Sequence, residues 1–196
     1  MHYQTATHTT LLERVSAGND PVAWGEFCDR YGQLIRLFCI RRALQAADVD
    51  DVQQDVLLAL SKAMPGFRYD PEKGKFRGYL KTIVIHAIYK KQFQNRGVRD
   101  LSAVDEATRA GAADANVEND WEAQWRQYHV RQAMTTIENE FNATDVDAFE
   151  RYGLLGHDPA RVAADLSLGV DSVYQAKSRI MKRLSALIAQ QIAEEG

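Results

Sequence analysis

The sequence contains no apolar run long enough to cross a bilayer, and no signal peptide opens it. Both absences predict a soluble, cytoplasmic protein without membrane insertion. Only two cysteines occur, Cys28 and Cys39. On one helix they would share a face but lie roughly 16 Å apart, too far for a disulfide bond. We therefore expect both to be reduced residues of the apolar core.

Catalytic patterns are also missing from the sequence. It has no Ser/His/Asp order, no glycine-rich phosphate loop and no cluster with metal-ligand spacing, so we expect neither an enzyme nor a cofactor. The acidic stretch from Asp48 to Asp55 leaves one alternative of another class, a helical metal-dependent hydrolase with His86 or His129 as a further ligand. No histidine stands at ligand spacing within that stretch, which disfavours this reading.

Sustained alternation of apolar and polar residues is absent too, and the apolar periodicity throughout is that of helices, so the fold class is all-α. Asp20 is a good N-cap for a helix with Pro21 at its first position, and Thr144 is the expected cap of a later one. The helices that we expect cover residues 21–42, 48–64, 76–96, 121–140, 159–166 and 170–192.

Charge is unevenly distributed along the chain. The net charge is only −3, yet residues 67–99 hold nine basic and two acidic residues, and residues 100–125 hold one basic and seven acidic residues. The second stretch is also rich in alanine and poor in large apolar residues. We therefore predict two small helical domains, residues 10–96 and 121–196, joined by a flexible acidic linker over residues 97–120. The pattern of this linker also allows a short helical piece.

An acidic helix precedes the basic stretch. Asp48, Asp51 and Asp55 follow helical spacing and share one face. The helix has a different stripe for the core, formed by Val52, Val56 and Leu60. Such acids could simply favour a helix N-terminus through the dipole, or they could bind a basic partner. Both interpretations remain open on this pattern alone.

The basic stretch contains a helix whose core positions are predicted at Phe76, Leu80, Ile83, Ala87 and Ile88. Its other faces mix cations with aromatic rings. Cations neutralise phosphates and rings stack on unpaired bases, so this mixture is typical of nucleic-acid binding. The alternative is a solvated helix whose aromatic residues belong to the core. We expect Phe76 and Tyr79 to be core residues, which leaves Phe67 and Tyr69 to hold a base.

Together the acidic and basic helices resemble the second conserved region of bacterial RNA polymerase sigma factors of the extracytoplasmic-function type. The motifs come in the family's order and at its separations. The residues that carry the resemblance are Asp48, Asp50, Asp51, Gln54, Asp55, Val56, Pro65, Phe67, Phe76, Arg77, Tyr79 and Leu80.

A second motif lies near the C-terminus. Two helices joined by the turn Ser167-Leu168-Gly169 form the pattern of a helix-turn-helix, although an ordinary helical hairpin fits this piece alone equally well. The run from Val162 to Ile180 resembles the fourth conserved region of the same sigma factors. It departs from the family in the turn, where serine precedes glycine instead of following it.

The resemblance implies a sigma factor that binds core RNA polymerase and promoter DNA, with an anti-sigma factor or another regulator as a further partner. The acidic helix would bind polymerase, the basic helix and its loop would recognise and melt the −10 element, and the helix-turn-helix would read the −35 element. The alternative is a helix-turn-helix regulator that is not a polymerase subunit. The expected polymerase-binding residues are Asp48, Asp50, Asp51, Gln54 and Asp55. The expected DNA-binding residues are Phe67, Arg68, Tyr69, Lys73, Lys75, Arg77, His86, Lys90, Ser172, Gln175, Lys177, Ser178, Arg179 and Lys182.

Overall fold

The computed structural model describes residues 8–65, 67 and 76–194. Every regular element in these ranges is helical, which confirms the all-α class. The helices are α1 (His8–Ser16), α2 (Pro21–Arg41), α3 (Ala46–Ala63), α4 (Phe76–Asn95), α5 (Leu101–Ala113), α6 (Ala115–Glu140), α7 (Ala143–Ala148), α8 (Pro159–Asp165) and α9 (Val170–Glu194), with a π-helical segment at Phe149–Leu154. The chain divides between Arg126 and Gln127 into two compact units.

Helix α2 forms the centre of the first unit, as its sequence pattern predicted. The Asp20 carboxylate accepts a hydrogen bond from the backbone N–H of Ala23 at 2.8 Å, which is N-capping as expected. The predicted apolar stripe is fully buried: Phe27, Tyr31, Leu34, Ile35, Phe38 and Cys39. Burial raises the pKa of the Cys39 thiol to about 12, whereas Cys28 is only half-buried, and both cysteines are free.

Helices α3 and α4 pack together in this unit. Val52, Val56 and Leu60 are buried as predicted. On α4 the expected stripe is partly wrong, because Ile83 is half-exposed while Val84 and Ile85 are buried. Helix α4 packs against α5 as well as α3, so its buried face is wider than a single stripe.

The expected flexible linker is where the structure differs most from the sequence prediction. Asp100 is the N-cap of helix α5, and its carboxylate accepts a hydrogen bond from the backbone N–H of Ser102 at 2.9 Å. Its buried residues are small, and a Cβ added at Gly111 would lie 2.5 Å from the Tyr89 ring of α4. Alanine has the highest helix propensity, so a stretch rich in alanine and poor in large apolar residues forms a packed helix here.

The first half of α6 also belongs to the first unit, although we assigned Trp121 and Trp125 to the second domain. Trp121 is fully buried and meets Phe38 edge-on, with 5.0 Å between ring centroids. Trp125 stacks on Tyr31, with 6.3 Å between centroids. Both tryptophans therefore complete the aromatic core around α2.

The second unit comprises the rest of α6 and the helices that follow it. Asn142, not the expected Thr144, caps α7 by accepting from the backbone N–H of Asp145 at 2.8 Å. Helices α8 and α9 enclose a turn in which Ser167 has a positive φ of 56°. The predicted core positions of α9 are buried: Val173, Ile180 and Leu184.

Candidate functional site

The acidic face of α3 is largely open to solvent. The side chains of Asp50, Asp51 and Asp55 are 65, 62 and 52% exposed, respectively. Gln54 is exposed on the same helix, whereas the Asp48 side chain is 20% exposed. Four of the five expected polymerase-binding side chains are therefore accessible.

These carboxylates already have partners within the chain. The ammonium of Lys91 lies 2.6 Å from Asp51 and 3.4 Å from Asp48, and that of Lys90 lies 3.1 Å from Asp55. The Asp51 hydrogen bond, followed by that of Asp48, raises the pKa of Lys91. The acidic and basic surfaces that the sequence presented as separate thus pair with each other.

Two further polar contacts involve carboxylates of α3. Asp50 pairs with Arg36 of α2, and the Asn95 side chain of α4 donates to Asp48 at 2.9 Å. Arg36, Lys91 and Asn95 were absent from the predicted site. Of these three residues, only Lys91 could have been included from the sequence, because it is a cation next to Lys90.

A groove beside the acidic face was also missed. It is an open groove of about 460 Å³ between α2 and α3. Its apolar lining includes Trp24, Leu57 and Leu58, and Leu58 is 51% exposed. The sequence could have indicated this groove, because Leu57 and Leu58 are apolar but lie outside the core stripe of Val52, Val56 and Leu60.

The N-terminal half of α4 pairs with acids of α5 and α6, which lie in or just beyond the expected linker. Arg77 contacts Glu122 and lies 3.7 Å from Glu118, and Lys81 also contacts Glu118. His86 lies 3.4 Å from Asp105 of α5. Each of the four lysine and arginine side chains of α4 therefore faces a carboxylate.

Aromatic residues converge where α4 begins. Phe76 is buried, as expected. Phe67 stacks on Tyr79 at 5.4 Å between centroids, with an interplanar angle of 28°. One face of the Phe67 ring therefore already has a partner, and its expected role in holding a base stays a prediction. The other expected loop residues, Arg68, Tyr69, Lys73 and Lys75, lie outside the described residues.

Helix α9 has an outward face that is exposed: Ser172, Gln175, Ser178 and Lys182. The other two expected DNA-binding residues have partners inside the second unit. Arg179 lies 3.0 Å from Asp145, and the Lys177 ammonium stands 4.3 Å above the centre of the Tyr152 ring. Neighbouring Arg183 forms two contacts of 2.6 Å with Glu140.

The described residues do not support the metal-dependent hydrolase. They contain no group of three or more His, Cys, Asp and Glu side chains that could hold a metal ion. His86 pairs with Asp105, and His129 hydrogen-bonds Gln191 at 2.9 Å, so neither joins the carboxylates of α3. No helix in the same part of the chain is long and apolar enough to span a membrane.

Comparisons with known proteins agree with this geometry. Residues 27–97, from within α2 to just beyond α4, match the family model described as Sigma-70 region 2. The match confirms the resemblance to sigma factors that the acidic and basic helices predicted. No curated protein matches the chain.

One solved structure with a similar chain is described as the structure of CnrH in complex with the cytosolic domain of CnrY. Its similarity covers 94% of this chain and 98% of that chain, with 21% identity and a TM-score of 0.39. A likeness at that score carries no inference about function.

Proposed function

We propose that this chain is a sigma factor of the extracytoplasmic-function type, which binds core RNA polymerase and directs promoter-specific initiation. The observation that carries the proposal is the sigma-70 region 2 match over residues 27–97. The helix-turn-helix formed by α8 and α9, in a separate compact unit, supplies a second element for DNA recognition. The role requires no catalysis by the chain itself.

In this proposal the acidic face of α3 binds basic helices of the polymerase. Asp51 and Asp55 are more than half exposed, and their contacts with Lys91 and Lys90 are surface ion pairs. Such pairs contribute only about 0–1 kcal/mol each, so a basic partner can replace them at small cost. The apolar groove beside Leu57 and Leu58 adds area that a helix of the partner can cover.

The basic helix α4 and the loop before it would recognise and melt the −10 element. A melted strand offers phosphates to cations and base faces to aromatic rings. Arg77 and Lys90 provide cations, and the stacked pair of Phe67 and Tyr79 provides an aromatic surface at the start of the helix. His86 lies half-exposed on α4, two turns beyond Tyr79.

The outward face of α9 would read the −35 element in the major groove. Gln175 and Ser178 offer hydrogen-bonding groups to base edges, and Lys182 offers a charge to phosphates. Arg179 can reach DNA only by leaving Asp145, which makes it a weaker candidate for base reading than its sequence position suggested.

The test is in vitro transcription with core polymerase over fragmented genomic DNA, followed by mapping of start sites. We expect the wild-type chain to create start sites that core polymerase alone does not use. Asp51→Arg with Asp55→Arg should lower the affinity for core polymerase, because charge reversal turns attraction into repulsion at this interface.

Circular dichroism checks that the charge-reversed variant folds. Unchanged affinity in a folded variant would contradict the role of α3. If the wild-type chain protects duplex DNA in footprints but creates no start sites, the alternative of a helix-turn-helix regulator is correct instead.

A further inference from the structure

The acids that neutralise the N-terminal half of α4 come from outside the family-matched segment. Glu118 and Glu122 lie on α6, beyond residue 97 where the sigma-70 region 2 match ends. They stand four residues apart and so occupy one face of the helix, about 6 Å apart along its axis. The pairing of Arg77 and Lys81 is thus an addition to the matched region.

A packed helix holds these two glutamates in place. Val117 directly precedes Glu118 in the sequence and is 2% exposed. Trp121 lies between the two glutamates and is 0% exposed. Asp120 lies 2.5 Å from the Nε atom of Arg41 and 3.4 Å from the guanidinium of Arg42. Apolar burial and these two ion pairs fix the first part of α6 within the first unit, so its carboxylates face α4 in a defined register.

The ion pairs of Arg77 and Lys81 with the two glutamates are partly exposed, so a polyanion can replace them. Glu118 and Glu122 are 41 and 33% exposed, and Arg77 and Lys81 are 23 and 15% exposed. Arg77 also lies 5.6 Å from the centre of the ring of Trp125, a cation–π contact with the helix that carries the two glutamates. Partly exposed pairs are weak and screened by salt. A nucleic acid that binds Arg77 and Lys81 must first displace the α6 carboxylates.

We propose that the Glu118–Glu122 face of α6 is an internal competitor of DNA, which occupies Arg77 and Lys81 and restrains nucleic-acid binding by the free chain. The proposal rests on the proposed function, because that function makes Arg77 a contact of the melted strand, and it adds Lys81 as a second phosphate contact. It adds a regulatory element that lies outside the sigma-70 region 2.

The test measures binding of a fluorescein-labelled single-stranded oligonucleotide of mixed sequence to the full chain, by anisotropy over a series of KCl concentrations. Glu118→Gln with Glu122→Gln should bind about three- to tenfold more tightly than wild type, since several surface ion pairs no longer compete. The slope of log affinity against log salt should become steeper by roughly one, because more counterions are released.

A matched control separates local competition from net charge. Glu106→Gln with Glu138→Gln removes the same two charges, and both of these glutamates are exposed and make no ion pair within the described residues. We expect this control to bind like wild type. Equal gains in the two double variants would overturn the proposal, because net charge alone would then explain them.

A third variant tests which cations are released. Arg77→Gln with Lys81→Gln, added to the Glu118→Gln and Glu122→Gln background, should abolish the gain, and a gain that persists would overturn the proposal. If the double glutamate variant fails to fold by circular dichroism, Glu118→Gln against Glu106→Gln carries the same test.

The transcription assay keeps the two proposals apart. Initiation by the wild-type chain without any gain in oligonucleotide binding would reject only the internal competitor. A gain in binding without initiation would reject the sigma function and retain the competitor.

Discussion

The two units of the molecule differ in how completely the cations of α4 and of α9 are paired with carboxylates. In the first unit, each lysine and arginine of α4 faces a carboxylate from α3 or α6. In the second unit, Arg179 and Arg183 of α9 also face carboxylates, whereas Lys182 on the exposed outward face has no ion-pair partner among the described residues. A basic stretch in a sequence therefore does not by itself define an open nucleic-acid surface. The acids that pack against it determine how much of its charge is available.

The contrast between the units depends on the packing of α5 and α6 as helices. Among the substitutions considered, we expect Gly111→Ala to reduce stability most, because it disturbs the contact between α5 and α4. The added Cβ would lie 2.5 Å from the Tyr89 ring, far inside van der Waals contact. We expect a loss of about 1–3 kcal/mol in the free energy of unfolding, as is typical of overpacking. Urea unfolding followed by circular dichroism measures this loss.

Gly25→Ala is the control for this substitution. Gly25 is an exposed residue within α2, with no atom within 4 Å of an added Cβ. There alanine should stabilise by roughly 0.5–1 kcal/mol, through helix propensity. If Gly111→Ala is as stable as Gly25→Ala, α5 does not pack closely on α4, and the pairing of His86 with Asp105 loses its support.

The sequence anticipated the elements whose apolar spacing is strong. The cap and stripe of α2, the stripe of α3 and the buried positions of α9 follow from local pattern alone, because helical periodicity and capping act within a few residues. The order of the acidic and basic motifs was enough to suggest a resemblance to sigma factors, and the match of residues 27–97 to Sigma-70 region 2 confirms that resemblance.

The remaining features depend on tertiary contacts. The packing of α5 was not predicted because this helix packs through Val104, Thr108 and Gly111, small residues that leave a weak apolar signal. The partners of Lys90 and Arg77 lie 35 to 45 residues away in sequence, and no local pattern selects one carboxylate among many. Ion pairing between helices therefore had to be seen in the structure.

Lys182→Ala sharpens the comparison on the side of α9. Loss of a phosphate contact should weaken binding to all duplex sequences alike and reduce the salt slope by about 1. Fluorescence anisotropy with a duplex of mixed sequence over a salt series measures both quantities. An unchanged affinity and slope would mean that DNA does not contact the outward face of α9.

Arg183→Ala is the matched control, since it removes the same charge from the adjacent residue. Its two contacts with Glu140 are internal, so DNA affinity should stay the same while stability falls by less than about 1 kcal/mol.

The hydrogen bond from Arg183 lowers the pKa of Glu140. The pair therefore stabilises the fold above the ordinary pKa of this carboxyl, and that contribution is lost as the pH falls through the lowered value.

The smallest expected effect concerns the turn that presents α9. Ser167 has a φ of 56°, a left-handed conformation that favours glycine, whereas Gly169 precedes the first residue of α9, where a serine side chain can cap the helix. A Cβ added at Gly169 would meet only the Ser172 hydroxyl, at 3.8 Å. Exchanging the two residues should therefore relieve strain at one position and add a cap at the other.

We expect Ser167→Gly with Gly169→Ser to raise the free energy of unfolding by roughly 0.5–1 kcal/mol, mostly through Ser167→Gly. Urea unfolding of the double variant and of each single variant measures both parts. Gly169→Ser alone should contribute a few tenths of a kcal/mol, because glycine is itself a tolerated N-cap. A loss of stability on Ser167→Gly would mean that the serine side chain compensates its backbone strain, and the reversed order in this turn would then be a stabilising feature of the chain.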